Sequence, residues 1–483
     1  MKIRFALLAL FLLTVPVFAG GGSFYRSSDS RLYRFIQQGN LKEVQRFVEA
    51  NPDVLAKEGF DVVVAAVEAS QLEILKYFEK QGVELKTNLP DTESLLWRAC
   101  ETEIAQDGEA RKIDEQRVLE IVDYLVSKDF DLHEKHKNQM LLDLSVKAGN
   151  LSLTQYLIDH KLDVNAHSFG SPLLQHLLSS DTEKLDIAEL LLKSGAKTYA
   201  TDEDGKEAFW SLIHEAIGQG KLEWVKLLVK YGASLETVYD GGQPLHAAIL
   251  AKEEEIAHYL IEQGAPLEGR TDYGWTPFLL AILDDLEMVK YLADRGADLN
   301  AVTYDDRDAL YLAAAVGKPE IVNFLIEKKL DPKRVNFNGQ SVLFAAAIGG
   351  NEKVFNTILK FDSNLKQIDS FGHTLLFAAV WSRNEDIKQR THIIERLLDA
   401  GVPVNAKAGA GYTATNLARN INDREILDLL HSHGGKEASL RLMKAGIGEI
   451  DPMDYEVDEM EDMDQMNLFM GTGMGGMGMG GVM

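Results

Sequence analysis

The chain has 483 residues, 26% of them charged, and a formal net charge of −25. So large an excess of carboxylates argues against nucleic acid and anionic membrane surfaces as partners, because both would be repelled. A single cysteine, Cys100, excludes an internal disulfide framework, so the fold has to be held by packing.

In chain order, Lys2 and Arg4 precede an apolar run from Phe5 to Val15, and Val17-Phe18-Ala19 offers a small-residue cleavage site. That is the pattern of a secretory signal peptide over residues 1–19, and Gly20-Gly21-Gly22-Ser23 opens a Gly/Ser-rich linker over 20–29. The apolar run is short for a membrane span. The expectation is a secreted or periplasmic protein with no integral membrane segment beyond the signal peptide.

From residue 30 a phrase of nine or ten residues recurs, marked by Leu32, Val63, Leu96, Leu142, Leu173, Ile213, Leu245, Phe278, Leu310, Leu343, Leu376 and Thr415. From Ile213 to Leu376 every step is 32 or 33 residues. A fixed period of this size means that each copy is one supersecondary unit, too small to bury its own apolar face and stable only on its neighbours. Within a unit the phrase opens a short helix, a polar turn follows, and a second apolar-periodic stretch such as Glu287 to Leu292 ends at Gly296-Ala297, before a hairpin-like finger. Pro244 and Pro277 preset the first helical turn without costing a hydrogen bond. Ala248, Ala281, Ala313, Ala346 and Ala379 mark where the next unit approaches closely, and Cys100 occupies an equivalent place. Three steps are longer, at 46, 40 and 39 residues, and locate insertions, two of them near 101–117 and 382–391 between the two helices of a unit.

The unit resembles the ankyrin repeat, with its Gly-x-Thr-Pro-Leu-His-x-Ala opening and Leu-Leu-x-x-Gly-Ala close. Gln243-Pro244-Leu245-His246-Ala247-Ala248 and Thr276-Pro277-Phe278-Leu279-Leu280-Ala281 carry the likeness most clearly, over roughly Ser30 to Gly435. Only Pro172, Pro244 and Pro277 keep the motif proline, and only His214 and His246 the histidine. Trp97, Leu279, Tyr311, Phe344 and Phe377 take the histidine position elsewhere, so a histidine-centred network cannot be general. The resemblance implies an all-α ankyrin-repeat solenoid of about 12 helix-turn-helix units with hairpin-like fingers, over 30–435. It further implies a protein that binds another protein through fingers and first helices and catalyses nothing. An immunity protein against a secreted toxin, or a protector of an envelope enzyme, would fit that description.

After Gly435 the composition changes. Residues 436–483 are acidic and then Met/Gly-rich, a mixture expected to stay disordered when free. Met474, Met477 and Met479 also suit a soft ion such as Cu(I) or Ag(I), which gives an alternative function.

Literal catalytic motifs fail in context. Gly471 to Gly476 fits a dinucleotide fingerprint but follows no strand, and Ala166 to Gly170 lacks the first glycine of a nucleophile elbow. His133 and His136, and His431 and His433, are spaced wrongly for a zinc-binding helix and read as solvent-facing. No catalytic set, cofactor site or protein-borne metal cluster is expected. The candidate site is instead a row of finger aromatics, Tyr239, Tyr273, Tyr304, Phe337 and Phe371, at steps of 34, 31, 33 and 34, which Trp275 joins. Such rings supply large contact area at modest entropic cost. They either grip a partner protein, for which the charge favours a basic one, or pack against the next finger and stiffen the stack.

Overall fold

The computed structural model describes residues 30–86, 93–101, 115–136, 139–168, 171–180, 184–199, 211–382, 384–408 and 411–438. The expected signal peptide and linker, nearly all of the 436–483 tail, the glycine motif at 471–476 and the core of the first insertion lie outside those residues.

Apart from turns, loops and isolated bridges, the described residues form helices and two short antiparallel hairpins, Lys135–His136 with Gln139–Met140 and His167–Ser168 with Ser171–Pro172. The helices fall into consecutive antiparallel pairs, and every marker residue lies in the first helix of a pair, at most 2% exposed. The chain divides at Lys197 and Thr198 into two units. The first unit runs from Ser30–Gln37 and Leu41–Ala50 to Leu173–Leu178 and Leu185–Lys193. The second runs from Leu212–Gly218 and Leu222–Lys230 to Ala414–Asn420 and Arg424–Ser432. Within each unit first helices pack on first helices and second helices on second helices, so each pair is covered by its neighbours.

The reason is visible in the first helices. Ala309–Val316 and Val342–Gly349 carry apolar residues all round, which only a helix contacted on several sides tolerates. Ala248, Ala281, Ala313, Ala346 and Ala379 are fully buried where the next helix comes close, and Cys100 is buried likewise. Thr276, Asp308, Ser341, Thr374 and Thr413 each accept a hydrogen bond from the N–H three residues on, which starts these helices. Most second helices are followed by a left-handed residue; at Gly296, φ +90, nothing lies within 4 Å of a Cβ position, so glycine is favoured there by backbone conformation alone.

Two insertions differ from the loops expected. Glu115–Ser127 and Ile387–Asp399 each have 13 residues, where Leu286–Asp294 has 9. About one extra turn has therefore been added to the second helix, and Glu115 to Arg117 belong to that helix. Asp386 caps the later one through Lys388 N and Gln389 N.

Candidate functional site

Four fingers of the second unit are closed by the same device. Thr271, Thr303, Asn336 and Asp369 donate their N–H to the carbonyl four residues on, at 2.9 to 3.0 Å. Their side-chain oxygens accept the N–H of that same fourth residue, Trp275, Arg307, Gln340 and His373, at 2.8 to 3.1 Å. Short polar side chains do this because they reach their own backbone. The third residue of each turn, Gly274, Asp306, Gly339 or Gly372, has a positive φ. The finger of Tyr239 is tighter, a two-residue Asp240-Gly241 turn with both φ values positive.

These turns explain the uneven aromatic spacing. Tyr304 and Phe337 stand one residue after the turn-closing residue, whereas Tyr273 and Phe371 stand two after it. The alternation produces the 31-residue step from Tyr273 to Tyr304 and the 34-residue step from Phe337 to Phe371 within a near-constant repeat.

Adjacent fingers are hydrogen-bonded, three of the four junctions through their backbones. Asp272 N–H donates to Gly241 O at 3.3 Å, Tyr304 N–H to Tyr273 O at 3.2 Å, and Ser370 N–H to Asn338 O at 2.8 Å. Arg270 Nη1 donates to Gly274 O and Val302 O, and Arg334 Nη1 to Asp306 O at 2.8 Å, with the Arg334 guanidinium also on the Asp306 carboxylate. The five fingers from Tyr239 to Phe371 thus form one connected row.

The six predicted residues divide on this row. Phe337 is 79% exposed, Tyr304 65% and Tyr273 52%, and Phe371 is just on the exposed side. Tyr239 and Trp275 are half-buried, Tyr239 with its ring 5.5 Å from that of His214. Tyr304 also packs: a Cβ on Gly274 would come within 2.8 Å of its ring. Three exposed aliphatic side chains, Val238, Val335 and Ile368, stand beside the aromatics and escaped the sequence reading. Val335 and Ile368 flank the buried turn-closing residues Asn336 and Asp369, so extended alternation points them outward. That alternation was the available signal.

The histidines tie finger to helix. His214 Nδ1 accepts from Ser211 Oγ at 2.8 Å and its Nε2–H donates to Gly242 O at 3.1 Å, and burial pushes its pKa down to about 4. His246 accepts from Gln243 N–H through Nδ1 and donates from Nε2 to Gly269 O and Trp275 O, with burial again lowering its pKa. Where Tyr311 replaces the histidine, its hydroxyl donates to Gln340 Oε1 at 2.8 Å and makes the same kind of link by other chemistry.

One expectation is corrected. His133 is exposed, but His136 is half-buried with its ring 5.4 Å from that of Trp97, near Glu134, which accepts from Ser94 Oγ–H and whose carboxyl is raised by burial. His431 and His433 are exposed, as expected. Among the described residues no group of three or more His, Cys, Asp or Glu is placed to hold a metal ion, and no helix is long and apolar enough to cross a membrane. Burial drives the Cys100 thiol far up its range, which suits a packed side chain rather than a nucleophile.

A repeating pair of helices with a hydrogen-bonded finger and histidine links at the first helix decides the family. The family model described as ankyrin repeats (3 copies) matches residues 186–271, 212–303, 264–336 and 310–406. Residues 186–406 thus match as ankyrin repeats. It is similar to a curated ankyrin repeat protein of Rickettsia bellii (strain RML369-C), 28% identical over 141 residues, which is 28% of this chain and 39% of that protein. The chain thus spans about two fifths of the length of that relative. Ankyrin repeats are a protein-interaction scaffold, and members of the family are typically not enzymes.

Proposed function

We propose that this ankyrin-repeat chain is an exported scaffold that grips another protein along the fingers and inner helices of its second unit, with no chemistry of its own. Tyr239, Tyr273, Trp275, Tyr304, Phe337 and Phe371 are the contact residues, and Val238, Val335 and Ile368 widen the strip. The observation that carries this reading is the exposure of Phe337, Tyr304 and Tyr273 on turns already closed by hydrogen bonds. Apolar rings held in water on ordered backbone are costly unless a partner covers them, and their prior ordering lowers the entropic cost of that event. The residues at 1–19 would direct export to the envelope, where an immunity or protective role towards another envelope protein fits. The net charge of −25 favours a basic partner.

The test is affinity capture from envelope extract with the full chain and with the Y273S/Y304S/F337S triple variant. A protein retained by the first and lost by the second, with unfolding midpoints matched, supports the reading. Equal capture with a lowered midpoint would assign the rings to finger packing instead. The methionines clustered from Met443 onward support a second reading, soft-metal capture. Titration of Ag(I) against the full chain and an M474L/M477L/M479L variant separates it, since equal weak uptake by both would dispose of it.

A further inference from the structure

The finger strip changes character along its length, and this inference rests on the strip being a binding face. At its start, the carboxylate-bearing residues Asp240 and Asp272 are exposed. Glu236, four residues before Asp240, is exposed too, and Asp305, on the third finger, shares its carboxylate with Arg307 Nε at 2.6 Å. Tyr273 and Tyr304 stand next to Asp272 and Asp305 in sequence, so each of these turns offers a ring face and a carboxylate together. Rings attract cations through their negative faces, and a nearby carboxylate adds charge to the same attraction.

The fourth and fifth fingers differ. Between Pro332 and Ser341 there is no carboxylate, and Lys333 is exposed. Between Leu365 and Thr374 the one carboxylate is that of Asp369, whose side chain is fully buried and bonded to His373 and Gln340, while Lys366 is exposed. What these two fingers present outward is Val335, Phe337, Ile368 and Phe371. A cation placed there finds a ring face with no exposed carboxylate beside it, and meets lysine.

We propose that the strip reads polarity: it takes a partner segment whose basic side chains lie on the fingers of Tyr239, Tyr273 and Tyr304 and whose apolar side chains lie on those of Phe337 and Phe371. Packed helices sit about 8–10 Å apart, and the direct bonds between finger turns keep the fingers on that pitch. An extended chain rises about 3.3 Å per residue, so successive fingers meet every third residue of such a segment. A second copy of this acidic chain is disfavoured by its own charge.

The probes are fluorescent peptides in which three arginines at every third position adjoin three leucines at every third position, with Gly and Ser between, made in both block orders. Binding to the full chain is followed by anisotropy. One order binds, and replacing its arginines with glutamates weakens it by about tenfold or more. The D240N/D272N variant weakens the arginine peptide about tenfold and flattens its salt dependence, because exposed pairs are screened. Asparagine tolerates the positive φ of position 240, so folding is preserved. A peptide with serines in place of the arginines is unaffected by D240N/D272N. Unchanged affinity of the arginine peptide for D240N/D272N, or no binding of it in either order, overturns the polarity. Sensitivity to Y273S/F337S without sensitivity to D240N/D272N removes this inference and leaves the binding face standing; insensitivity to both removes the face as well.

Discussion

Tyr304 and Tyr311 lie seven positions apart in one repeat, as do Phe337 and Phe344 in the next, yet their surroundings are opposite. Tyr311 and Phe344, on first helices, are 4% and 3% exposed, whereas Tyr304 and Phe337, on fingers, are 65% and 79% exposed. The residue types are identical, so side-chain hydrophobicity does not separate core from contact surface. What separates them is coverage: a first helix is flanked by the first helices before and after it, while a finger turn meets its neighbours through backbone and a few polar side chains and leaves the rings of Tyr304 and Phe337 largely outside.

The comparison is broken most directly by exchanging the fates of two phenylalanines. Phe344→Ala removes a buried ring from the helix stack and is expected to cost about 3–5 kcal/mol, read as a lowered urea midpoint. If it cost no more than a surface change, the first helices would not be the core. A smaller loss, about 1–2 kcal/mol, is expected for Gly274→Ala, because φ +81 strains an alanine and its Cβ would meet Tyr304 N at 2.7 Å. That variant also displaces the Tyr304 ring, so partner affinity should fall with stability; a midpoint unchanged from wild type would show that the turn relaxes freely.

Acid sharpens the contrast between helix and finger. His214 has its folded pKa depressed to about 4, below the unfolded value, so the unfolded chain binds more protons between pH 6.5 and 4. Stability therefore falls as pH drops through that window, by about 1 kcal/mol per pH unit for this group. His214→Leu, the residue type found at Leu279, should flatten the slope; an equally steep slope in the variant would place the proton elsewhere. Phe337→Ser is the smallest change in stability, within about 0.5 kcal/mol, and the largest in partner capture. A midpoint lowered as far as by Phe344→Ala would reassign the ring to the core.

The fold was legible because period and burial coincide: a residue recurring every 32 or 33 positions can be constant only if its environment is constant, and Leu245, Leu310 and Leu343 are all fully buried on first helices. The insertions were less legible, since polar residues from Glu115 to Arg117 look like loop but extend a helix whose apolar face begins at Val118. The finger row was half legible. Spacing found Tyr273, Tyr304 and Phe337, but whether a ring points outward depends on turn geometry, which left Tyr239 and Trp275 half-buried and hid Val335 and Ile368. Their direction is set by the buried neighbours Asn336 and Asp369, whose role as turn-closers appears only when the hydrogen bonds are seen.

A partner that covers the fingers of the second unit must slow their amide hydrogen exchange, measured on the full chain with and without the captured protein. Slowed exchange concentrated at 239–242, 271–275, 303–307, 336–340 and 369–373 is the expected result. Protection confined to second helices such as Leu286–Asp294 and Pro319–Glu327, with the fingers exchanging as before, would contradict it.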